Sequence, residues 1–126
     1  MTIDKLIKDF ITAFEKDLSY NEPAKNLFHT RGLKLLKQIA IDLGYTPATY
    51  DVRSNKGGIA VSGEITLHTD NLYMQISQFG GLPPILYRSC KGRKDFCGGG
   101  NNFMQLNALH DYGSFLEKLL SVTGSN

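Results

Sequence analysis

Two runs of alternating apolar and polar residues flank an Asp70-Asn71 pair, and no other feature constrains this chain as tightly. If those two residues form the loop of a hairpin, Leu67 opposes Met74 and Ile65 opposes Ile76. On the other face His68 then opposes Tyr73, Thr66 opposes Gln75 and Glu64 opposes Ser77. One face is wholly apolar and the other polar or amphipathic, and a slip of one residue would reverse every side chain, so the register is strongly specified. Asp and Asn tolerate positive φ better than most residues, which predicts a primed two-residue turn.

The period of two extends on both sides of this hairpin. It predicts strands over residues 50–55, 59–69, 72–79 and 85–90, with a turn at Lys56, Gly57 and Gly58, a loop over 80–84 and a long glycine-rich loop over 91–102. Before Pro47 the period is about 3.6. Ile3, Leu6, Ile7, Phe10, Ile11, Phe14 and Leu18 form one stripe of a first helix that Thr2 can cap. A second helix is expected over 24–43, begun near Pro23 with Asn21 or Glu22 preceding it, and stopped by Gly44. Gly32 is expected to split it, with Thr30 capping a fresh start. Residues 103–122 are helical in pattern and broken near 110–113, where Asp111 can cap the second piece. The expected class is α+β: a four-stranded antiparallel meander with two N-terminal helices and one or two C-terminal helices, in a single domain over 1–126.

Composition removes several function classes. With 41% hydrophobic and 21% charged residues the chain is an ordinary globular one rather than a disordered or fibrous one. Residues 1–10 interrupt their apolar positions with Asp4, Lys5, Lys8 and Asp9, unlike a secretion signal, and no stretch has the length of a membrane span. A cytoplasmic setting without membrane partners is therefore expected, with Cys90 and Cys97 as reduced thiols. Two cysteines without a second pair do not make a zinc site, and the sequence calls for no metal or other cofactor.

The net charge of +2 is too small to imply a general polyanion binder, but cations gather in two glycine-rich segments. One is RSNKGGIAVSGE over residues 53–64, with Arg53 and Lys56. The other runs over 87–102, with Arg88, Lys91, Arg93 and Lys94, three consecutive glycines, then Asn101 and Asn102. Glycine lets backbone N–H groups approach an anion, and the guanidinium fork matches phosphate oxygens. An Asn101 or Asn102 cap on a following helix would add further donors. The bland alternative is a hairpin turn and a solvated loop. Beside these segments the polar sheet face, with Tyr73 and Phe79, offers rings on which a base could stack, although an exposed antiparallel face is common without function. His29, His68 and His110 fall on three separate elements, so a nucleophile-and-base pair is the weaker reading and a non-enzyme is expected.

With RSNKGGIAVSGE, RSCKGRKD and the following Gly-Gly-x-Asn-Asn, residues 50–103 resemble small phage and prophage proteins, and in length and layout the phage anti-Thoeris proteins that sequester cyclic ADP-ribose isomers. That resemblance implies a non-enzymatic, oligomeric sponge that holds an intact cyclic nucleotide in the host cytoplasm to counter antiphage defence. Aromatic residues would take the base and arginines the pyrophosphate, with Phe79, Arg53, Arg88 and the Asn101 region as the matching positions. The alternative is a small nucleic-acid-binding protein using the same basic loop and aromatic sheet face. The ligand set expected from the residues is Arg53, Lys56, Phe79, Arg88, Lys91, Arg93, Lys94, Asn101 and Asn102, in a protein that self-associates.

Overall fold

The computed structural model describes residues 2–78, 81–95 and 99–123. In chain order they form α1 (Ile3–Phe14), α2 (Glu22–Asp42), β1 (Tyr50–Asn55), β2 (Glu64–Thr69), β3 (Leu72–Ser77), β4 (Ile85–Ser89), β5 (Asn102–Met104), a 3-10 turn (Leu106–His110) and α3 (Tyr112–Thr123). The strands make one antiparallel sheet in the order β1-β2-β3-β4-β5. The α+β class holds, with five strands rather than four.

The central hairpin has the register read from alternation: Leu67 pairs with Met74, Ile65 with Ile76, His68 with Tyr73 and Glu64 with Ser77. Ile65, Leu67, Met74 and Ile76 are fully buried under the helices, and burial of each such side chain contributes about 1.5–3 kcal/mol. The turn itself differs from expectation, because neither Asp70 nor Asn71 has a positive φ. Thr69 closes it instead: its hydroxyl accepts from the Asn71 and Leu72 N–H groups and donates to Asn71 Oδ1. A side-chain acceptor that satisfies the Asn71 and Leu72 donors removes the need for a left-handed backbone.

Thr2 and Asn21 cap α1 and α2 through the Lys5 and Ala24 N–H groups. Gly32 does not split α2, which runs unbroken. A Cβ there would stand 2.3 Å from Ile65 Cδ1, so the glycine serves the close approach of helix to sheet. Three further boundaries are corrected. Residues 59–63 precede β2 as a loop in which Gly63 holds φ +71°, and an added Cβ would meet the Asn55 carbonyl at 2.2 Å. Residues 103–104 extend the sheet as part of β5 rather than starting a helix, since Leu86 and Ile85 of β4 leave an edge for Phe103 and Met104 to pair with. Neither Asn101 nor Asn102 caps a helix, because Gln105 precedes the 3-10 turn. Asp111 does begin α3, its side chain accepting from Ser114 N–H.

The residues between the elements are tied down by side chains distant in sequence. Gln78 donates to the Phe14 and Lys16 carbonyls and accepts from the Leu18 N–H, which satisfies the end of α1 from across the sheet. Among the described residues no helix is long and apolar enough to cross a membrane.

Candidate functional site

Alternation leaves one sheet face uncovered by helices, and its cross-strand pairs fall into rows. Arg53, Thr66, Gln75, Leu86 and Phe103 form one row; Asp51, His68, Tyr73 and Arg88 form the next. Asn55, Glu64 and Ser77 form a third.

The second row is the most organised. The Arg88 guanidinium carbon sits 4.4 Å from the Tyr73 ring centroid, a cation–π arrangement. The same guanidinium donates through Nη1 to Asn101 Oδ1 at 3.2 Å. His68 packs edge-on against Tyr73, with centroids 5.1 Å apart and planes at 89°, and Tyr73 donates to Gln75 Oε1. His68 Nε2 lies 3.1 Å from the Gly92 carbonyl, so the imidazole donates there. Burial pushes His68 below the ordinary histidine value, Arg53 acting in the same direction and the Gly92 carbonyl opposing it. Burial likewise raises the Tyr73 phenol.

Arg93 fastens the basic loop to the end of this row. Its Nη2 donates to the Ala48 carbonyl at 3.1 Å, and its other nitrogens lie 3.6 Å from Asp51 and Asp70 carboxylate oxygens. Asp95 accepts from the Lys91 N–H and closes the tip. The side chains of Lys91 and Lys94 are exposed.

Six residues, Arg53, Asn55, Glu64, Thr66, His68 and Tyr73, line a concavity of about 260 Å³ on this face. Its charge is mixed, since Asn55 donates to Glu64 Oε1 and Arg53 approaches Asp51 at 3.8 Å. A larger concavity of about 440 Å³ lies between α1 and the 3-10 turn, far from the basic segments, and alternates Asp4, Lys8 and Glu15 with Ile7 and Ile11.

The expected ligand set is thus only partly assembled. Arg88 and Asn101 meet. Arg53 shares their face but stands on β1, three strands away from β4, a separation of about 14 Å at strand spacing. Lys56 is turned to the helix side, where it donates to Asn26 Oδ1. Asn102 donates to the Tyr87 and Gly100 carbonyls and shapes the turn into β5. Arg93 is committed to two carboxylates and a carbonyl. Phe79 lies outside the described residues, as does Cys97; Cys90 is a free thiol, buried and donating to the Thr69 carbonyl.

Phe103 was missed as a face residue because its segment has helical spacing. It pairs with Leu86 and stands diagonal to Arg88 on the open face, partly exposed. Its signal in the sequence was only its place after the glycines, opposite a strand end. Among the described residues no three His, Cys, Asp or Glu side chains converge to hold a metal ion. The chain matches no protein-family model, no curated protein and no solved structure. Fold and face together define a small α+β protein with an antiparallel sheet whose open face carries Arg53 and Arg88 and is strapped at one end by a basic loop.

Proposed function

We propose that the open sheet face binds a compact phosphorylated nucleotide and holds it unchanged, as a sponge for a cyclic ADP-ribose type signal in antiphage defence. The observation that carries this reading is the Arg88 cluster: a guanidinium held over Tyr73 and oriented by Asn101. The planar guanidinium matches the geometry of phosphate oxygens, and holding it in place before the ligand arrives lowers the entropy lost on binding. Phe103 and Leu86, diagonal and adjacent to Arg88, supply an apolar platform for a base. Arg53, about 14 Å away on β1, stands beyond the reach of a compact ligand held at Arg88.

The edge strands β1 and β5 leave backbone groups with which a second copy can pair, in keeping with a self-associating sponge.

Calorimetry tests the reading. Saturable binding of cyclic ADP-ribose isomers is expected, with the ligand recovered intact after heat denaturation. Arg88→Ala should weaken it by about 1.5–3 kcal/mol, as for a hydrogen bond to a charged group, and Phe103→Ala by about 1–3 kcal/mol if a base stacks there. Absence of nucleotide binding, together with a steep salt slope on DNA or RNA, would replace this reading with nucleic-acid binding. Many turnovers of the nucleotide to a hydrolysed product would end it as well.

A further inference from the structure

A serine and a histidine meet on the opposite side of the sheet, at the open end of edge strand β1. Ser54 lies on the helix-facing side of β1, opposite Ile65, and is exposed. His29 of α2 is buried, 2% exposed. Ser54 Oγ stands 2.7 Å from His29 Nδ1, and His29 Nε2 stands 2.9 Å from the Ser62 carbonyl oxygen.

These two distances decide the tautomer. A carbonyl oxygen can only accept, so Nε2 carries the proton and donates to Ser62. Nδ1 is then the ring's lone-pair nitrogen, and the Ser54 hydroxyl donates to it. An exposed hydroxyl aimed at the basic nitrogen of an imidazole whose far side is fixed by an acceptor is the geometry of an activated nucleophile. Phe28 packs edge-on against the imidazole at 4.8 Å and restrains its plane.

We propose that Ser54 is a nucleophile for acyl transfer from small activated esters, with His29 as its general base. In the step, Ser54 Oγ attacks the ester carbonyl carbon as its proton passes to His29 Nδ1. Collapse of the adduct breaks the bond to the leaving oxygen, which receives the proton from Nδ1 and departs as the alcohol, and leaves Ser54 esterified. Water repeats the sequence to release the acid and restore the hydroxyl.

The surroundings favour the neutral base. Burial, first, and the nearby ammonium groups of Lys56 and Lys25 push His29 below the ordinary histidine value, while the Ser62 carbonyl and Glu64 oppose them. Lys25 is held by the Gly58 carbonyl and Lys56 by Asn26, so both cations stay beside the imidazole. This pair lies apart from the Arg88 cluster and does not depend on the nucleotide reading.

The test is labelling of the folded protein with a fluorophosphonate, an ester surrogate that forms an Oγ–P bond as fluoride leaves, followed by peptide mapping. Ser54 should label about a hundredfold or more faster than the exposed Ser121, the scale of general-base assistance. Ser54→Ala should abolish that fast label. The rate should rise with pH and level off, with the midpoint of the rise below the ordinary histidine value of 6.5, and His29→Gln should remove both the rate and the levelling. Equal labelling of Ser54 and Ser121, or a Ser54 rate that climbs with hydroxide throughout without a plateau, would overturn the proposal. Those two readings need only the native protein, so they decide the matter even if His29→Gln fails to fold.

Discussion

Gly32 of α2 rests directly on Ile65 of β2, so closely that a methyl group on the glycine would lie 2.3 Å from Ile65 Cδ1 and 3.1 Å from Phe10 Cε1. The position sets the distance between the longest helix and the sheet. It also decides a competition between a local preference and packing.

In an exposed helix, Gly→Ala stabilises by about 0.5–1 kcal/mol. Here Ile65 and Phe10 are fully buried and have little room to turn away, and overpacking a filled core costs about 1–3 kcal/mol. Gly32→Ala should therefore destabilise by about 1–2 kcal/mol net, read as a lower urea midpoint with an unchanged slope. A raised midpoint would show that the helix lifts off the sheet without loss.

Acid should destabilise the fold from the histidines downward. His29 and His68 both sit below the ordinary histidine value of 6.5 in the folded protein, chiefly through burial. The unfolded chain therefore takes up protons first as pH falls, so stability is full above 6.5 and is lost as pH drops through and below it, levelling off once the folded protein also protonates. Urea midpoints at about pH 7.5 and about pH 5.5 should differ in that sense. The difference should shrink in His68→Gln; an equal loss in that variant would assign the effect to other groups.

The Cys90 thiol should resist alkylation at neutral pH. Burial, foremost, raises it above the ordinary thiol value, so little thiolate is present to react. Iodoacetamide, followed by mapping of the Cys90 peptide, should modify the folded protein at least several-fold more slowly than the urea-unfolded chain. Equal rates would mean that the loop after β4 opens freely.

What could be known from the sequence divides along a physical line. Alternation around residues 64–77 determined which side chains of the hairpin face the helices, because a strand's period of two leaves no third choice of face, and the register read there is the one observed. The caps Thr2 and Asp111 were equally legible, since a cap acts within three residues of itself, while Asn21 was one of two candidates before Pro23. Contacts between residues far apart in the chain were not legible. Gly32 looked like a break in a helix, when its meaning lies in Ile65. The Asp70-Asn71 turn looked primed until the Thr69 hydroxyl was placed beside it. Phe103 had helical spacing, yet the vacant edge of β4 drew it into the sheet. Local propensity there differs by less than the backbone hydrogen bonds that pairing supplies.

The cations followed the same division. Their concentration in two glycine-rich segments is a property of the sequence. Which of them share a surface depends on strand order: two strands, β2 and β3, separate Arg53 from Arg88, Arg93 is drawn to Asp51 and Asp70, and Lys56 turns to Asn26. Most sharply, His29 and Ser54 stand 25 residues apart on elements of different type, and neither carries a local signal for the other. Only the packing of α2 across β1 and β2 brings that imidazole to that hydroxyl, because a side-chain hydrogen bond extends about 3 Å and the fold alone decides which groups come within it.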